Sequence, residues 1–121
     1  MAVVLVVDDE FGIVKLLEEV LTAEGHRVVI ATNGRQALER AAREKPSLVV
    51  TDFMMPVMDG AALVKAMRAD PQLADVPVVI MSSMPEATVA ERSPGYVAFL
   101  RKPFNIFAVV DLIAKLTKSQ S

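Results

Sequence analysis

Cysteine is missing from the 121 residues, which excludes disulfides, thiolate metal sites and thiol nucleophiles, and leaves any metal to oxygen ligands. A reducing, cytoplasmic setting suits such a chain. Clustered basic charge is missing too. Thirteen Lys and Arg stand against fifteen Asp and Glu, a net charge of −2, with no run of cations that would track a phosphate backbone. Direct nucleic-acid binding is not expected. No apolar run is long enough for a membrane: the opening "MAVVLVV" has no basic flank and meets Asp8-Asp9 at once, so it reads as a buried strand. Linkers, repeats and low-complexity segments are likewise absent. What remains is a 53% hydrophobic chain of one domain's length, 1–121, with ample material for a core.

The apolar residues fall into short β-branched runs: Val3 to Val7, Val28 to Ile30, Leu48 to Val50, Val78 to Met81 and Tyr96 to Leu100. They are continuous rather than alternating, as strands covered on both faces are. Between them lie residues at helical spacing. Ile13, Leu16, Leu17, Val20 and Leu21 mark one helix that Gly25 should stop; Ala37, Leu38 and Ala41 mark a second. Leu63, Val64 and Met67 form a third, and Ile106, Val109, Val110, Ile113 and Leu116 a strong last one. The fourth is weak, because "PEATVAERSPG" offers only Val89 and small residues to bury and Pro94-Gly95 ends it. Helix four is therefore expected to be short or irregular. Strands alternating with helices predict a single α/β domain, a doubly wound (βα)5 fold around a five-stranded parallel sheet. Ligands of such sheets bind beyond the carboxyl ends of the strands.

That rule selects a constellation. Asp8 and Asp9 follow the first strand, Asp52 ends the third, Ser82 and Ser83 end the fourth, and Lys102-Pro103 ends the fifth. Each alone has a simpler account: Asp8 or Asp9 as a helix cap, Asp52 and Ser82 as turn formers, Lys102 as a solvated charge. Acid, acid, hydroxyl and amine on four strand ends at one rim are harder to obtain from turn chemistry. Crowded carboxylates repel, and a shared Mg²⁺ would remove that cost; with Lys102 it would leave the rim ready for a phosphoryl group. His26 earns no such role and reads as packed or solvated, and the methionines near the rim read as adaptable packing.

The stretches "VVDDE", "TDFMMPVMDG", "MSS" and "LRKPF" resemble the response-regulator receiver domains of two-component signalling, over essentially the whole chain. The resemblance implies a flavodoxin-like sheet of order 2-1-3-4-5. It implies that Asp52 accepts a phosphoryl group from the phosphohistidine of a sensor histidine kinase or histidine phosphotransfer protein. Asp9 would be the direct Mg²⁺ ligand, Asp8 its partner through water, and the Met54 main-chain carbonyl a further ligand. Lys102 would pair with phosphoryl oxygen, aimed by a cis bond to Pro103. Ser82 would move toward the phosphate and Phe99 would swing inward with it, by packing alone since it has no hydroxyl. The surface around helix four, strand five and helix five would then change for a downstream effector that the residues do not specify. Self-phosphorylation from small donors and autodephosphorylation would be slow, so the chain reads as a switch and not an enzyme.

Two features depart from the pattern. The segment between Ser82 and Gly95 is somewhat short and carries Pro94, and Ser83 stands where a smaller residue is common. Two other functions compete. An aspartyl-phosphate phosphatase places its nucleophile after the first strand with a second acid two residues later; here Asp8, Asp9 and Glu10 are an unbroken run of acids, and failure to turn over any phosphomonoester would tell the switch from the enzyme. A phosphorylation-independent interaction domain on the same fold would be expected to have lost an acid or the lysine. The tail "KLTKSQS" suits either a chain end or a linker.

Overall fold

The computed structural model describes residues 2–118. Strands β1 (Val3–Val7), β2 (Arg27–Ala31), β3 (Leu48–Asp52), β4 (Val78–Ser82) and β5 (Ala98–Arg101) alternate with helices α1 (Phe11–Ala23), α2 (Gly34–Arg43), α3 (Gly60–Ala69), α4 (Glu86–Arg92) and α5 (Ile106–Thr117). All pairings are parallel and the order is β2-β1-β3-β4-β5, a doubly wound flavodoxin-like sheet. Every residue of β3 and β4 is buried, which explains the unbroken apolar runs Leu48 to Val50 and Val78 to Met81 within them.

Alternation along each strand sorts the core into two. Val4, Val6, Leu48, Val50, Val79 and Met81 meet Leu17 and Leu21 of α1 and Val109 and Ile113 of α5. Leu5, Val7, Val49, Val78 and Ile80 face the other way, against Ala37 and Ala41 of α2, Leu63, Val64 and Met67 of α3, and Val89 of α4.

The helix ends follow local chemistry. Asn33, Asp59 and Asn105 cap α2, α3 and α5 by accepting the amides of Gln36, Ala62 and Phe107. Gly25, at φ 89°, ends α1: its amide donates to the Thr22 carbonyl and that of His26 to Leu21. This paired closure needs a left-handed residue, which glycine adopts without strain.

Two details differ from the periodicity. In α1 the buried stripe is Val14, Leu17 and Leu21, while Leu16 is exposed. β5 begins at Ala98, two residues after Tyr96. α4 is short, as its sequence predicts: it has seven residues and buries Val89 alone. Among the described residues no helix is long and apolar enough to cross a membrane. The last three residues of the tail lie outside the described residues.

Candidate functional site

Strand order reverses between β1 and β3, the position at which such sheets open a crevice. The ladder there pairs Val7 with Thr51, so its next step brings Asp8 and Asp52 to the same level. Both are buried, Asp8 completely. Lys102 reaches them from the end of β5, whose neighbour β4 holds it through the Lys102 amide donating to the Ser82 carbonyl at 2.8 Å. The Lys102–Pro103 bond is cis. The Lys102 ammonium lies 2.9 Å from Asp8 Oδ2, 3.4 Å from Asp52 Oδ1 and 3.4 Å from Glu10 Oε1.

One ammonium is shared by three carboxylates, and Asp52 feels the deficit. Burial, joined by the charge of Asp8, pushes the Asp52 carboxyl up to about 6, against the opposing pull of Lys102 and the Phe53 amide. Burial pulls the Lys102 ammonium down, but its hydrogen bond to Asp8 and the charges of Asp52, Asp8 and Glu10 outweigh that and hold it above its ordinary value. Asp8 has few other partners to offset its burial: Oδ1 accepts the Glu10 amide at 2.9 Å.

That turn decides which acids converge. Carboxylate oxygens of Asp8, Glu10 and Asp52 lie within 4.8 Å of one another. Asp9, the position that resemblance names as the direct metal ligand, is exposed and outside this group. The sequence alone does not single out Glu10 as a ligand. The available signal was local: an Asp that accepts the amide two residues on folds that residue back toward it. Three hard oxygen donors around a crevice suit a small divalent cation such as Mg²⁺.

Of the remaining candidates, Ser82 ends β4 at the same rim. Ser82 is buried and its Oγ accepts the Met84 amide at 3.0 Å, starting the segment that leads to α4. Phe99 stands opposite Ile80 in the ladder and half-buried, its ring 6.3 Å from that of Tyr96. Met54 is exposed in the loop after Asp52. His26 lies at the start of β2, away from the rim, with Nδ1 buried and unpartnered.

A family model for the response regulator receiver domain matches residues 4–114. The chain is 36% identical over 114 residues to Sporulation initiation phosphotransferase F of Bacillus subtilis (strain 168), covering 93% of this chain and 90% of that protein. It is 41% identical over 92 residues to the Probable transcriptional regulator ycf27 of Porphyra purpurea, but there it spans 76% of itself and 36% of the relative. Among solved structures, the chemotaxis response regulator CheY4 of Vibrio cholerae superposes with a TM-score of 0.88 at 31% identity, over 96% of this chain and 98% of that one. With a family match over nearly its whole length and the strand order and acidic crevice already in place, the chain belongs to the response regulator receiver domains of two-component signalling.

Proposed function

We propose that Asp52 is the phosphoacceptor of a two-component or phosphorelay system, taking its phosphoryl group from the phosphohistidine of a sensor histidine kinase or histidine phosphotransfer protein. The observation that carries this reading is the position of Asp52: a buried carboxylate at the end of β3, touched by Lys102 and crowded by Asp8. An Asp52 oxygen attacks phosphorus; the bond from phosphorus to imidazole nitrogen breaks, and its electron pair stays on that nitrogen, which takes a proton. The product is an acyl phosphate, later hydrolysed slowly by water to carboxylate and phosphate. Family membership supports this switch-like chemistry.

Asp8, Asp9, Asp52 and the Met54 carbonyl would hold Mg²⁺, and Glu10 is placed to join or replace Asp9. When bound, the ion supplies charge neutralisation for the transferring phosphoryl oxygens. Lys102 offers the ammonium that leaves Asp8 and Glu10 for a phosphoryl oxygen, and Ser82 the hydroxyl that turns toward it. Ser82 Oγ now accepts the Met84 amide, so its movement pulls on the segment before α4 while Phe99 repacks. The output surface is then the one formed by α4, β5 and α5.

Incubation with Mg²⁺ and phosphoramidate, followed by mass measurement, tests the acceptor: a gain of one phosphate by the wild type and none by Asp52→Asn is expected. Phosphate on both would remove Asp52 from the role. Mg²⁺ binding to the folded state raises stability by about 2.7 kcal/mol at a hundredfold excess over Kd. Loss of that rise in Asp9→Ala makes Asp9 the ligand; loss in Glu10→Gln with retention in Asp9→Ala transfers the role to Glu10.

A further inference from the structure

The loop from β3 to α3 is clamped at both sides. At its base the Gly60 amide donates to the Phe53 carbonyl at 2.8 Å, and a Cβ on Gly60 would lie 2.6 Å from the Asp52 carbonyl oxygen. At its flank the Gly34 amide donates to the Met58 carbonyl at 2.9 Å, and a Cβ on Gly34 would meet Met58 Cγ at 2.7 Å. Between the clamps the chain reverses in three residues. The Met58 amide donates to the Pro56 carbonyl at 2.7 Å, with Val57 at φ 68° between them.

This is a γ-turn of the strained hand. Among the described residues Val57 is the one non-glycine at positive φ, and a β-branched side chain is ill suited to it, where Gly or Asn would sit with little cost. Burial does not offset the strain. Val57 is 76% exposed and belongs to neither core, although its neighbours Met55 and Met58 pack against one. The fold therefore gains nothing from an apolar branched residue at this point, and strain without an internal return points to an external one.

The place suggests what supplies it. Val57 is five residues from Asp52, within about 18 Å even along an extended chain, and the closed base brings it nearer. A protein donor must bring its phosphohistidine onto Asp52, and an interface of about 800 Å² per partner is a disc about 16 Å in radius. A footprint centred on Asp52 would therefore extend to the loop that carries Val57, whereas a small phosphodonor needs only Asp52 itself.

We infer that Val57 is a docking and specificity residue, its side chain buried by apolar surface flanking the phosphohistidine of the protein donor. The inference rests on Asp52 as acceptor. Four variants separate apolarity from strain: Val57→Ile keeps both, Val57→Thr keeps the branched shape and strain but not the apolarity, and Val57→Asn and Val57→Gly lose both. Two donors are used: phosphoramidate, and the autophosphorylated histidine kinase that transfers fastest to the wild type in a panel. With phosphoramidate all four variants are expected within about twofold of wild type. With the kinase, kcat/KM falls about tenfold in the Thr, Asn and Gly variants, mainly through KM, and stays near wild type in Ile. Melting temperature rises in Asn and Gly alone.

Transfer to Val57→Thr at the wild-type rate overturns the inference, as does an unchanged melting temperature in Val57→Gly. A wild type that accepts from phosphoramidate but from no kinase also overturns it, as does a concentration-dependent dimer lost in Val57→Thr with transfer intact, which assigns the residue to a second copy. Failure of phosphoramidate to label Asp52 sinks the acceptor assignment instead, so the two failures are told apart.

Discussion

The two faces of the sheet are covered unequally. On one, α1 and α5 are 13 and 12 residues long and seat Leu17, Leu21, Val109 and Ile113 directly on the strands. On the other, α2 and α3 have ten residues each and α4 seven, of which Val89 alone is buried. Polar ties hold α4 where burial is thin. The Tyr96 hydroxyl donates to Glu86 at 3.0 Å near its first turn, and Arg68 donates to the Gly95 carbonyl at 2.7 Å beyond its last. Ordering a residue costs roughly 1–2 kcal/mol, and one buried valine offsets little of that over seven residues. A helix held this way shifts at small cost, and it directly follows the Ser82 turn. The long helices supply a platform, and the short one is free to respond.

The largest effect expected from this contrast is on the platform. Ile113→Ala should cost about 2–5 kcal/mol in urea denaturation as a single cooperative transition, because the surrounding strands cannot collapse into the space. A loss below 1 kcal/mol would erase the distinction between the faces. Val89→Ala should cost less, about 1.5–2 kcal/mol, and show itself locally. Amides of α4 should exchange faster than those of α1 and α5 in the wild type, faster still in the variant, and slow with Mg²⁺ and beryllofluoride. Equal protection of α4 and α5 before activation would break the comparison.

At the rim where the faces meet, Asp52 works against stability. Its folded-state value of about 6 is above its ordinary 3.8, so between those values the folded protein holds a proton that the unfolded chain has released. Stability contributed by this group is therefore present below pH 4 and lost as pH rises through 6. With chelator present, Asp52→Asn should be more stable than wild type by about 1–2 kcal/mol at pH 8, after discounting for the open rim, and the two should converge near pH 4. Parallel curves would contradict the crowding described at Asp8 and Lys102. The smallest effect is Tyr96→Phe. Losing one exposed hydrogen bond to Glu86 should change global stability by under about 0.5 kcal/mol, yet raise exchange within α4 severalfold; no change there would leave the hydroxyl no part in holding the helix.

Legibility in the sequence followed the range of the forces involved. Strand and helix positions could be read because burial on both faces forces unbroken β-branched runs, and because Gly25 and Pro94 act on the backbone within a turn of themselves. The weakness of α4 was readable for the same reason, since a segment with one large apolar residue, Val89, has little to bury. Candidate residues Asp8, Asp52, Ser82 and Lys102 could be gathered because parallel strands put their carboxyl ends on one rim. The exposure of Leu16 could not, because a helix with apolar residues on more than one side meets the sheet along a line that the sheet chooses. Only the folded chain brought Glu10 to Lys102 from 92 residues away and left Asp9 facing water, through one amide bonded to Asp8. The strain at Val57 likewise arises where Gly34 and Gly60 close on a loop that "PVMDG" does not foretell. Local propensities name the elements; which side chains share an ammonium or hold strain depends on contacts between distant segments, set only once the sheet is assembled.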